Sequence, residues 1–379
     1  MKRILLFVLA SRALSASFAY ELAEPIAQPG ENWIYSPFSI SACLSMAAAG
    51  ANGKTEDDFK SILGLSDEID FGFEKMLDAF EHAPAEPADF EMRIAQGAWI
   101  KDDFAILPSY AQLLSRFFHA SAERVPFGPE TARRINSWVS KMTRGKIEDL
   151  LTEDDLNEKS RLVLANALYF HGSWQHPFPA HHTHKRAFHL SNGSAIECDT
   201  MSETSRALYF ENETFQAAAL SFHTDRKSSF RPACLLILPK NEPCFSEEAV
   251  KTALSSLNWR KVRFSVPKFI LEEKIELTPI LKTLGLERAF SNKADFSKID
   301  GIGELCLSKV LHKTFFAFDE EGVEAAAATA AVINVTTSIQ PEREIAIPFI
   351  ADRPFYVLLV DLNSQTPFFI GRVENPLLN

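Results

Sequence analysis

Apolar positions recur at helical spacing in two stretches of the chain. In residues 108–119, Tyr110, Leu113, Leu114, Phe117 and Phe118 share one face, with Pro108 suited to the first turn. In residues 131–144 the same period runs through Ile135, Trp138, Val139 and Met142, and Gly145 follows as a stop. Ser41 to Ala51, rich in Ala, Leu and Met, predicts a buried helix. Strand-like runs lie at Arg161–Phe170, Ala233–Leu238, Val262–Val266 and Phe355–Val360. Helices and strands are interspersed without a regular strand–helix–strand beat, which predicts an α+β fold. No repeat or low-complexity linker divides the 379 residues, so they read as one domain.

Residues 319–341 settle into neither period. The alanines from Ala325 to Ala328 favour helix, whereas Val332-Ile333 and Val335-Thr336-Thr337 favour strand. Divided local preference is expected where a segment switches or functions. If the segment became a strand with Val323 inward, the inward set would be Val323, Ala325, Ala327, Thr329, Ala331 and Ile333. All are small or apolar, as a strand threading between packed neighbours requires. The outward set holds Glu324 and Asn334, which water solvates.

Charge and cysteine content narrow the functional classes. A net charge of -11, with Lys and Arg scattered beside acids, argues against nucleic acid or heparin as a partner. The five cysteines (43, 198, 234, 244 and 306) are irregularly spaced and read as free thiols rather than a disulfide framework or zinc site. Six of the ten histidines lie between His171 and His189, but no metal-ligand spacing accompanies them, and the tract reads as an exposed connection. No apolar run approaches the ~20 residues that span a bilayer. Met1-Lys2-Arg3, an apolar stretch to Ala10 and small residues to Ala19 read as a candidate signal peptide over 1–15. Export to an extracellular or periplasmic space follows from that reading; a cytoplasmic protein follows if the stretch starts a first helix. Sequons fall at Asn192, Asn212 and Asn334.

Residues 320–333, EEGVEAAAATAAVI, closely resemble the reactive-loop hinge of the serpin family. Further motifs follow in family order: Phe18-Ala19, Ser36-Pro37-Phe38-Ser39-Ile40-Ser41, Ile135-Asn136-Ser137-Trp138-Val139 and Thr143-Arg144-Gly145-Lys146-Ile147. Asn166 to Trp174 (NALYFHGSW), Leu307 to Lys313, Asp352-Arg353-Pro354-Phe355 and Phe369 to Pro376 complete them. The chain is thereby similar to serpins over almost its whole length.

That resemblance implies a single serpin domain over 16–379, with three β-sheets, eight or nine helices and an exposed reactive-centre loop at about 320–345. It implies a suicide-substrate inhibitor of a serine or cysteine protease, not an enzyme. The loop is cut to an acyl-enzyme and then inserts into the main sheet. A 14-residue insertion spans on the order of 45 Å at ~3.3 Å per residue. The implied hinge is Glu320, Gly322, Val323, Glu324, Ala325, Ala326, Ala327, Ala328 and Thr329, with Val323 where the family usually has Thr or Ser.

Counting from Glu320 puts the reactive bond at Thr336-Thr337, suited to an elastase- or subtilisin-like enzyme. Counting back from Pro354 leads instead to Arg343-Glu344 and a trypsin-like enzyme. Ser36, Ser39, Asn166 and His312 fall on a hydrogen-bonded cluster beneath the opening sheet, and Trp174 on the Trp at its top. Arg288 and Glu320 fall on an ion pair at the loop base. A catalytic Ser-His pair is the competing reading of the cluster, and a non-inhibitory carrier or chaperone-like serpin that of the chain. A monomer without cofactor, metal, nucleic-acid or membrane partner is expected.

Overall fold

The structure, a computed structural model, describes residues 16–65, 90–224, 230–241, 245–323 and 344–378. The candidate signal peptide, Cys244, the hinge from Glu324 to Thr329, Asn334, Thr336, Thr337 and Arg343 lie outside the described residues.

The longer helices among the described residues are α1 (Pro37–Gly50), α2 (Gly53–Leu63), α3 (Pro108–Phe118), α4 (Pro129–Met142) and α5 (Glu247–Ser256). Proline opens α1, α3 and α4, where its missing N–H costs nothing. Ser36 caps α1 by accepting the Ser39 N–H at 3.1 Å. The apolar run of α1 has its expected consequence: all fourteen residues are buried.

Six strands form the main sheet: β2 (Phe90–Lys101), β3 (Ser121–Val125), β4 (Leu162–Ser173), β10 (Phe269–Glu276), β11 (Leu307–Phe318) and β12 (Gly322–Val323). Their order is β10-β11-β12-β4-β2-β3, and β11 also pairs directly with β4. The other nine strands are β1 (Trp33–Tyr35), β5 (His184–His189), β6 (Ala195–Glu211), β7 (Phe215–Ser221), β8 (Pro232–Pro239), β9 (Asn258–Pro267), β13 (Ile347–Ile350), β14 (Phe355–Asp361) and β15 (Pro367–Val373). Two of the three expected sheets share β6. That strand pairs with β5 over its first six residues, with β9 from Thr200 to Tyr209 and with β7 from Leu208 to Glu211, so hydrogen bonding runs through all nine strands.

The main core lies between the two sheets, around α1. A smaller core lies on the opposite face of the main sheet. There Ala132, Ile135 and Val139 of α4 pack over Ala95, Trp99, Val163, Ala165, Ala167 and Leu311. α4, lying over β2, and the segment after it (Ile147, Leu150, Leu151 and Leu156) therefore together cover this face of β2, β4 and β11. The histidine tract departs from the expected connection: His184–His189 is strand β5, most of whose side chains are exposed.

Small residues let α1 sit this deep. A Cβ on Gly50 would stand 2.4 Å from Ile299 Cγ1 and 3.1 Å from the Tyr110 ring. Gly50→Ala is expected to destabilise the fold by about 1–3 kcal/mol, as overpacking does. Thermal denaturation checks this, and Ile299→Ala in the same chain should recover part of the loss.

Candidate functional site: the seam of the main sheet and the base of the loop

Between β4 and β11 the main sheet has a seam. The two strands pair in parallel from Leu307↔Leu162 through His312↔Asn166 to Thr314↔Leu168. Above that stretch β12 enters between them, antiparallel to both, with Val323 opposite Phe318 on one side and Gly172 on the other. Gly322 has no room for a side chain, since a Cβ would fall 2.0 Å from the Gly172 carbonyl oxygen.

The entry of β12 is fixed by the backbone before it. Trp174 donates its backbone N–H to Glu321 O at 2.8 Å and its indole N–H to Asp319 O at 2.9 Å. Its ring is 1% exposed, stacks on Phe222 at 4.6 Å and lies 5.1 Å from Phe318. Asp319 Oδ1 accepts from the Glu321 and Gly322 N–H groups at 2.9 and 3.2 Å. Burial nevertheless leaves the Asp319 carboxyl above its ordinary range.

Glu320 shows a correction. Its carboxylate is bound by Lys268 Nζ at 2.7 Å and by Thr183 Oγ1 at 2.8 Å, not by Arg288. Arg288 instead pairs with Asp58 of α2 at 3.1 Å. The register explains the exchange: Phe269 pairs with Phe318, which brings Lys268 beside Asp319 and Glu320, whereas Arg288 lies in a helical turn against α2. Burial alone would raise the Glu320 carboxyl; the ammonium and hydroxyl outweigh it and hold it below the usual range. Lys268 and Thr183 were missed by sequence reading. The Lys268-Phe269 step at the start of β10 was the only available signal.

Beneath the seam the four residues singled out by resemblance do come together. The Ser36 N–H donates to His312 Nε2 at 3.0 Å, and His312 Nδ1 lies 3.2 Å from Asn166 Oδ1. The ring is thus neutral, with its proton on Nδ1 facing the amide oxygen. Ser39 Oγ also donates to Asn166 Oδ1, and Asn166 Nδ2 donates to Ser39 O at 3.1 Å and Gln96 Oε1 at 3.4 Å. Gln96, the polar break in an apolar strand, is a member the sequence reading left out. Neither serine hydroxyl is hydrogen-bonded to the imidazole, so no nucleophile–base contact supports a catalytic Ser-His pair.

Among the described residues no group of three or more His, Cys, Asp or Glu could hold a metal. No helix among them is long and apolar enough to cross a membrane. Cys43, Cys198 and Cys234 are buried free thiols, and Cys306 is half-buried.

The main sheet thus carries a closed parallel seam with a short antiparallel strand lodged at its top. The comparisons give the family. The family model described as "Serpin (serine protease inhibitor)" matches residues 13–376. An uncharacterized serpin-like protein of Thermococcus kodakarensis is 34% identical over 372 residues, covering 95% of this chain and 84% of that one. A serine protease inhibitor of Cyanea capillata is 30% identical, covering 97% of each. The native stressed conformation of Arabidopsis AtSerpin1 superposes with a TM-score of 0.82 at 27% identity, over all of both chains. This chain belongs to the serpin family, which is described as one of serine protease inhibitors rather than proteases.

The buried imidazole gives the site a pH signature. Burial lowers the His312 pKa to about 3 from an ordinary 6.5. The unfolded ring takes up a proton near pH 6.5 while the folded ring does not. Stability is therefore lost as pH falls through that window, by about 1 kcal/mol per pH unit for one group. Glu273 opposes it. Burial, with Glu31 nearby, pushes that carboxyl from 4.5 up to about 7, so its contribution grows as pH falls across the same range. In Glu273→Gln, thermal midpoints are expected to drop steadily from pH 6.5 to 4.5. A flat profile in that variant would contradict the neutral buried ring.

Proposed function

We propose that this serpin acts as a suicide substrate of serine proteases. On this reading the protease cuts Thr336-Thr337, remains attached as an acyl-enzyme, and is carried off as residues 323–333 insert between β4 and β11. The observation that carries the reading is the seam itself, parallel and closed below, already entered by an antiparallel strand above.

Continuing the β12 register down the seam gives each hinge residue a place. Ala325 would stand opposite Phe170 and Phe316, Ala327 opposite Leu168 and Thr314, and Thr329 opposite Asn166 and His312. Thr329 would then supply a hydroxyl where Asn166 and His312 give up their contact on separating. On the other face, Ala328 and Ala330 would meet Ala167, Ala165 and Leu311, which α4 and the segment after it cover. Small side chains are therefore needed on both faces along the middle of the insert, and only Glu324 and Asn334 at its ends are left to water. Each inserted residue exchanges one parallel ladder for two antiparallel ones, the more stable pairing.

The same register favours one bond over the other. β4 begins at Leu162, which would pair with Ile333, so the seam is filled by residues 323–333, roughly 35 Å of strand. A cut after Thr336 leaves the protease close to the end of that strand. A cut after Arg343 leaves ten further residues of slack and a looser hold on the enzyme. Val335 and Thr336, both β-branched and of modest size, suit an elastase- or subtilisin-like pocket.

Incubation with elastase-, subtilisin- and trypsin-like proteases tests this on one denaturing gel. An SDS-resistant conjugate is expected, with a released fragment beginning at Thr337, and the nicked protein should melt well above the intact one. Cleavage without conjugate would point to a non-inhibitory carrier or chaperone-like serpin. Thr329→Arg strands a charge against the buried cluster. Conjugate yield in that variant is expected to fall at least tenfold while cleavage continues, and the rise in melting temperature should disappear.

A further inference from the structure

The outer face of β9 gathers cations that the sequence scatters. Lys261 and Arg263 are exposed on it, and the register sets Arg206 of β6 directly opposite Lys261 and Thr204 opposite Arg263. Opposed residues on one face have their Cβ atoms ~5 Å apart. Trp259, 45% exposed, extends the same face past Lys261, and Arg260 is exposed at the strand's free end. Among the described residues none of these four cations has an acidic ion-pair partner, whereas Lys185 of β5 and Lys313 of β11 each pair with an acid on the neighbouring strand and Lys309 of β11 pairs with Asp155 and Glu276. One acid stands at the margin: Glu344 Oε1 accepts the Lys261 backbone N–H at 3.4 Å.

This face lies where the bait segment rejoins the body. β13 runs parallel to β9 from Ile347↔Val262, so Arg263 sits beside Pro348. A protease engaged at Thr336-Thr337 is tethered to Glu344 by residues 337–343, at most about 25 Å of extended chain. The enzyme's surface beside its cleft, on the leaving-group side, is thereby brought over β9.

We infer that Arg206, Lys261 and Arg263, with Trp259, form a second docking surface for the attacking protease, favouring enzymes with acidic residues beside the active-site cleft. The inference rests on the reading of residues 324–343 as the bait. Three cations on one face, with Trp259 at one end and Glu344 at the margin, make a short patch, which suits a folded acidic surface better than the long charge track of a polyanion.

The test reads the rate of loop attack, whichever product results. Intact chain is followed on gels with elastase- and subtilisin-like proteases of acidic and of basic isoelectric point, from 25 to 300 mM NaCl. Acidic enzymes are expected to attack the native protein about tenfold faster at low salt than at high salt. Arg206→Glu/Lys261→Glu/Arg263→Glu should remove that advantage and Arg206→Ser/Lys261→Ser/Arg263→Ser reduce it, with unchanged thermal midpoints.

Rates for acidic enzymes that agree within twofold between native and reversed chains overturn the inference even where conjugates form. Acceleration by added heparin that the reversed chain loses, without a protease-charge effect, reassigns the face to a polyanion and also overturns it. Patch-dependent cleavage without any conjugate supports the docking surface and removes the inhibitory reading instead. Failure of every protease to attack the loop overturns both.

Discussion

The parallel ladder between β4 and β11 is the constraint on which the molecule depends. On the proposed mechanism it stays closed in the intact protein and yields when a third strand arrives. Its strength is layered. Backbone pairing runs from Leu307 to Thr314, the His312–Asn166 contact bridges the two strands from below, and the apolar cluster formed by α4 and the segment after it buries Ala165 and Leu311 from above. Parallel pairing is the weaker kind per residue, so the lower-energy arrangement is always close at hand. On the proposed mechanism, what keeps the chain from it is a barrier, and the native fold is kinetically held.

The polar cluster under the seam explains how such a barrier is built without a strong covalent or ionic lock. Ser36 and Ser39 belong to the N-terminus of a wholly buried helix, so they cannot follow either strand when the sheet parts. Separating β4 from β11 therefore leaves the His312 ring and the Asn166 amide briefly short of a partner in an apolar interior. An unsatisfied buried polar group costs a few kcal/mol, about 1–3 by mutational measure. The neutrality of the imidazole matters here, because a charged ring could not be held at that depth.

Elements with strong apolar patterning were legible in the sequence. α3 and α4 begin at or near their prolines and stop near the expected residue, and the four strand-like runs are strands. The serine, asparagine and histidine of the cluster were named through motif resemblance, and the structure joins them. What escaped were relations between distant residues set only by register. Lys268 reaches Glu320 because β10 and β11 pair at Phe269 and Phe318, whereas motif order alone pointed to Arg288. Arg206 joins Lys261 across β6 and β9, although they lie far apart in the chain. The fusion of two sheets through β6 was hidden for the same reason.

The contact of Gly322 with the Gly172 carbonyl carries a consequence for fidelity. Neither glycine has room for a side chain, so on the proposed mechanism the first rung of the inserting strand is indexed before cutting. In a β-sheet an error of one rung turns every side chain over. Here that error would bury the Glu324 carboxylate in the core and turn Thr329 up onto the face that α4 and the segment after it cover, away from His312 and Asn166. The zipper is keyed at its slider, and a misaligned start has nowhere to go.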